Sequence, residues 1–111
     1  KVPYPKALAA AFSDGLINPH DLEHLADDDV ASRLVTVKGV GPWTAEMFLI
    51  FGLGRLDVWS PGDLGLRRTL EHFFDSSDPA IADRWRPYRS VAAWYLWEHS
   101  DQLMGRHQPS E

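Results

Sequence analysis

Leu34-Val-Thr-Val-Lys-Gly-Val-Gly-Pro-Trp-Thr-Ala45 is the stretch from which the rest of the chain can be read. Gly39 and Gly41 flank Val40. The first can take a positive φ at the end of one helix, and the second lets a ligand approach bare backbone where the next helix begins. Pro42 suits the first helical turn, because its missing N–H would have had no intrahelical partner there. The N–H groups at that helix start, from Gly41 onward, make a place for a phosphate.

Upstream, residues 5–13 favour a helix opened by Pro5 and ended by Gly15. A short helix is expected after Asn18-Pro19, with Leu22 and Leu25 toward a core. His20 and His24 stand at the i, i+4 spacing of two metal ligands, but no glutamate follows His20 and no third ligand is apparent. A solvated polar face explains the pair as well. Asp27 or Asp28 can cap a third helix through about Val37, with Val30, Leu34 and Val37 on one side. Downstream, Pro42 to Phe51 reads as a strongly apolar central helix, with Met47, Phe48, Ile50 and Phe51 supplying burial. Gly52 and Gly54 end it, and an irregular link runs to Gly62. A helix then starts near Asp63, carrying Leu66, Leu70, Phe73 and Phe74 at helical spacing. Ser76-Ser-Asp-Pro79 caps a short helix to Trp85, and Pro87 opens the last, through about Leu103. No segment alternates as a strand does. An all-α fold of six or seven short helices is expected over residues 1–103, with 104–111 a disordered tail.

The 111 residues, 44% hydrophobic, suit one compact domain. No apolar run reaches membrane-spanning length, so a soluble, cytoplasmic protein is expected, placed on the nucleoid if bacterial. The absence of cysteine excludes disulfides, thiolate catalysis and a cysteine-bound iron–sulfur cluster in this chain. A net charge of −5 argues against a general polyanion binder. The distribution answers that objection: residues 14–29 hold six acids and no Lys or Arg, a net of −6, which leaves +1 for the rest.

The pattern Leu34-x-x-Val37-x-Gly39-Val40-Gly41-x-x-Thr44-Ala45 resembles the helix-hairpin-helix DNA-binding element. The stretch from Leu34 to Arg68, continued by Trp85-Arg-Pro-Tyr-Arg-Ser90, is similar to the helix-hairpin-helix base-excision glycosylases, and most to their bacterial 3-methyladenine DNA glycosylase II branch. The resemblance implies that the hairpin's backbone amides hold a DNA phosphate, with Lys38, Gly39, Val40, Gly41 and Thr44 at the contact. It implies a monovalent cation on the carbonyls of Val35, Val37 and Gly39, and no other cofactor. Helix-terminal amides would then let an acidic protein bind DNA with few lysines. A tight αα turn without a ligand is the plainer reading of the same glycines.

Relatives that also cleave the strand carry a lysine where this chain has Trp43, so a monofunctional glycosylase without a lyase step is implied. Asp63 aligns with the catalytic aspartate, which stabilises positive charge on the sugar as the base departs. On local sequence alone Asp63 reads as an ordinary N-cap. Asp57 is a weaker candidate, expected to be exposed. Trp43 and Trp97 match positions lining the damaged-base pocket, where indoles favour a cationic alkylated base, and Met47 stands where some relatives have an aromatic residue. Trp59, Trp85, Tyr88, Trp94 and Tyr95 read as structural. Arg67, Arg68, Arg86 and Arg89 can contact phosphates or pair with carboxylates.

The resemblance corresponds to the later part of the usual catalytic domain, whose earlier helices complete the cleft and wedge into the duplex. An upstream segment or second chain is therefore an expected partner, beside damaged double-stranded DNA. The alternatives are a non-catalytic helix-hairpin-helix DNA-binding module and, third, a domain using the hairpin for a protein partner.

Overall fold

Short acidic and amide side chains at helix starts punctuate the chain. A computed structural model describes residues 6–103, and every regular element among them is helical. In order these are α1 (Lys6–Ser13), α2 (Pro19–Leu22), α3 (Asp27–Leu34), α4 (Pro42–Met47) continued by a π-helical turn (Phe48–Gly52), α5 (Leu64–Phe74), a 3₁₀ segment (Pro79–Trp85) and α6 (Arg89–Leu103). The expected all-α architecture is what forms. The tail at 104–111 lies outside the described residues. No helix among the described residues is long and apolar enough to cross a membrane.

The chain divides into two compact units, with the boundary after Arg55. In the first, Leu8, Ala11, Leu22, Val30, Leu34, Val40, Ala45, Met47, Phe48 and Leu49 are buried. Asn18 caps α2 by accepting the His20 N–H at 2.9 Å. His20 and His24 are exposed, and no cluster of three metal-ligating side chains occurs among the described residues. Helix α3 differs from expectation at both ends. Its N-cap is Ala26, without a side-chain cap, because the Asp27 carboxylate is engaged by the Arg55 guanidinium at 2.7 Å. Arg55 also donates to the carbonyls of Leu22 and Glu23, joining the end of α2 to the start of α3. The helix stops at Leu34 rather than Val37, since Thr36 and Val37 turn their N–H groups back three residues, to Arg33 and Leu34.

The stretch from Pro42 to Phe51 is also not one regular helix. After Met47 the chain widens by one residue per turn, and the Leu53 N–H reaches the Phe48 carbonyl at 3.0 Å. This rotation buries Leu49 beside Phe48, and it leaves Phe51 42% exposed, against the expected inward position.

In the second unit α5 and α6 pack together over Trp59, Leu66, Leu70, Ala82, Ala93 and Leu96, with Phe74, Ile81, Trp85 and Trp97 against that cluster. Ser90, Ala93, Leu96 and Ser100 form the buried face of α6, and all but Leu96 are small enough to allow a close approach. Trp59 and Trp85 are structural as expected, their rings 5.9 Å apart. Tyr88, just before α6, and Trp94 and Tyr95 on its outer side are not; all three are more than half exposed.

Pro87 does not open α6. The helix begins two residues later, where an acceptor is available: Asp57 Oδ1 takes the Arg89 N–H at 3.1 Å and the Leu56 carbonyl takes the Ser90 N–H at 2.9 Å. The Arg86–Pro87 peptide bond just before it is cis. Ser90 Oγ in turn accepts the Val58 N–H at 2.8 Å. Residues 56–58 are thus clasped to the start of α6.

Asp57 is therefore no exposed candidate acid. Its carboxylate is bound by Arg89 Nε at 2.9 Å, with Arg86 at 3.7 Å, and the Arg89 hydrogen bond holds its titration below the ordinary value of 3.8 despite opposition from burial. A lowered carboxyl stabilises the fold fully above the ordinary value, and that stabilisation is lost as pH falls through the lowered one. Asp57→Asn is expected to destabilise the protein by about 1–2 kcal/mol at neutral pH. Denaturant titrations should show this difference shrinking below about pH 4.

Candidate active site

Backbone conformation separates the two hairpin glycines. Gly39 has φ +90°, and an added Cβ would meet Ala7 Cβ at 3.2 Å, so both strain and crowding demand glycine there. Gly41 has an ordinary extended backbone at φ −99°, and a Cβ added to it would meet nothing within 4 Å. The fold itself does not require glycine at 41. The turn between them closes through the Val40 N–H on the Val37 carbonyl at 3.0 Å. Val40 is buried and anchors the loop, while Lys38 and both glycines are exposed.

Of the helix starts with a defined N-cap, α3 and α4 lack a side-chain cap. Helix α3 begins with three aspartates, which oppose an external anion. Helix α4 begins Gly41-Pro-Trp-Thr44, with no acid in its first turn. On this helix Thr44 is half-buried, Trp43 is 44% exposed and Met47 is buried at 4%.

In the second unit the clasped segment delivers Asp63 to the start of α5. Its backbone is extended and its N–H bonds to the Ser60 carbonyl at 3.1 Å. Asp63 Oδ2 accepts the Leu66 N–H at 3.0 Å, the N-cap bond expected from the sequence. The same oxygen accepts the Trp97 indole N–H at 2.8 Å, a partner 34 residues away on α6. This second bond was not legible from spacing, and the resemblance placed Trp97 only as a pocket wall. The carboxylate is half-buried. Asp63 is thus a carboxylate whose position two helices determine.

Arg67 and Arg68 follow on α5, exposed, around an open hollow with Leu64, Glu71 and Ser77. Arg86 and Arg89, open to either role from sequence, are ion-paired with Asp57, and Arg86 also with Asp83.

A helical fold with a glycine hairpin and a helix-capping aspartate is what the sequence resemblance implied, and comparison finds similarity to the same proteins. The chain superimposes on a DNA-3-methyladenine glycosidase from Bacillus halodurans with TM-score 0.77 and 32% identity, covering 92% of this chain and 50% of that one. It matches a 3-methyladenine DNA glycosylase of Schizosaccharomyces pombe, solved in complex with abasic DNA, with TM-score 0.74 and 35% identity over 86% of this chain and 50% of that one. Among curated sequences, DNA-3-methyladenine glycosylase 1 of S. pombe is 36% identical over 110 residues, covering 90% of this chain and 47% of the relative. No family model matches. The chain is a homologue of the DNA-3-methyladenine glycosylases, and it spans from about a sixth to about a half of the length of the curated relatives it matches.

The glycine geometry gives a paired expectation. Gly39→Ala should lose about 1–2 kcal/mol of stability, and Gly41→Ala should stay within about 0.5 kcal/mol of the unmodified chain, as read by denaturant unfolding.

Proposed function

We propose that this chain is the catalytic part of a monofunctional DNA glycosylase that hydrolyses the N-glycosidic bond of alkylated bases such as 3-methyladenine after base flipping. The observation that carries the reading is Asp63, a carboxylate held by donors from two helices in a fold shared with DNA-3-methyladenine glycosylases. Departure of the base leaves positive charge on the sugar, and a fixed carboxylate stabilises that charge without reorganising. The same group can orient the attacking water on the opposite face. No lysine is available at position 43 to form a Schiff base, so the reaction stops at the abasic site.

The hairpin at Lys38, Gly39, Val40, Gly41 and Thr44 holds the DNA backbone in this reading, with Arg67 and Arg68 as further phosphate contacts. Support comes from the uncapped, acid-free start of α4 and from the relative bound to abasic DNA. The carbonyls of Val35, Val37 and Gly39 would hold a monovalent cation. Neutral oxygens suit such an ion, and the Val37 carbonyl, which takes one N–H bond within the turn, has a second lone pair for it. The cation's part would be to join hairpin and phosphate electrostatically. Trp43, Met47 and Trp97 are proposed to contact the flipped base, with indole faces favouring a cationic purine. The segments that wedge into the duplex would come from the remaining length that the relatives possess.

The test measures base release and duplex binding separately on DNA containing 3-methyladenine. Asp63→Asn is expected to abolish release while leaving binding intact. Lys38→Ala should weaken binding and lower the salt slope by about one ion. Binding without release from the unmodified chain would favour the non-catalytic DNA-binding module, in which Asp63 serves only as an N-cap.

A further inference from the structure

We propose that Trp97 is a positioning residue for Asp63, fixing by its indole N–H the orientation in which the carboxylate meets the substrate; this rests on the glycosylase reading above. The terminal torsion of an aspartate is soft, so an N-cap bond alone leaves the carboxylate plane free to swing. Here Oδ2 receives two donors from different helices, the Leu66 N–H of α5 at 3.0 Å and the Trp97 indole N–H of α6 at 2.8 Å. Two directions of pull on one oxygen define the plane.

The second donor is itself immobilised. Trp97 packs against the cluster of Trp59, Leu66, Leu70 and Leu96, and α6 is pinned about two turns earlier by Asp57 and Leu56 at Arg89 and Ser90. An indole N–H donates and cannot accept, so the bond is suited to a carboxylate. Gly65 makes the room. A Cβ at that position would stand 3.3 Å from Asp63 Oδ2 and 3.5 Å from Trp97 Cδ1, directly at the contact. Gly65 shows no positive φ that would otherwise call for glycine, so closeness of the pair is the structural reason for it.

The experiment follows single-turnover base release, duplex affinity and thermal midpoint in Trp97→Phe, Gly65→Ala and Asp63→Asn. Trp97→Phe keeps an aromatic face and removes the donor. Release is expected to slow on the order of 10²-fold, far more than duplex affinity falls. Gly65→Ala leaves both partners intact but crowds them, and it should slow release in the same direction. Independently of catalysis, the Trp97 indole ¹H–¹⁵N resonance, assigned by its loss in Trp97→Phe, should move in Asp63→Asn.

Full-rate release from Trp97→Phe would overturn the positioning role, as would a parallel loss of affinity and release, which marks a stacking wall only. An indole resonance indifferent to Asp63→Asn would overturn it too. If Trp97→Phe melts below the assay temperature, Gly65→Ala decides. Asp63→Asn with undiminished release would instead remove the glycosylase reading, and the positioning role with it.

Discussion

Every helix begins with N–H groups that its own backbone cannot satisfy, and this small fold is arranged around meeting that demand. Asn18 does so for α2, Asp78 for the 3₁₀ segment and Asp63 for α5. At α6 the acceptors come from elsewhere in the chain, the Asp57 carboxylate and the Leu56 carbonyl. That last arrangement turns a local requirement into tertiary structure. It ties the irregular segment after Leu56 to a helix, and six residues later the same segment presents Asp63. At Gly41 no side chain caps the helix, and no acid stands in its first turn.

Asp63 is a structural cap, and in the function proposed above the same residue is the reacting group. The cap bond and the indole bond both fall on Oδ2, within the second unit, so the carboxylate is held by α5 and α6 together. A group that must stabilise charge on a sugar gains from being fixed before the charge appears. The acidic character of the chain is compatible with this chemistry because its negative charge is concentrated between residues 14 and 29, away in sequence from the hairpin and from Asp63.

Much of this was legible in the sequence. The glycine spacing, Pro42 and the N-cap at Asp63 follow local rules, and all of them hold in the fold. The errors arose where a distant partner overrode a local preference. Asp27 reads as a cap but answers Arg55, and Asp57 reads as exposed but answers Arg89. Pro87 suits a helix start, yet α6 begins where Asp57 and Leu56 can accept its N–H groups. The π-helical turn has no composition signal, and within it Leu49 is buried while Phe51 is exposed. Large apolar side chains stand on both the buried and the exposed sides of α6, so periodicity could not tell Leu96 from Tyr95. The bond from Trp97 to Asp63 joins residues too far apart in sequence for any spacing rule.

The central claim is that the Asp63 carboxylate stabilises positive charge developing on the sugar. It is tested most directly by the affinity of the chain for duplex DNA containing a cationic azasugar, compared with the same duplex containing a neutral abasic sugar. This comparison needs no turnover and no base to flip. The account predicts tighter binding of the cationic sugar, and loss of that preference in Asp63→Asn with the neutral duplex still bound. Equal affinity for the two duplexes in the unmodified chain, or a preference that survives Asp63→Asn, would contradict it.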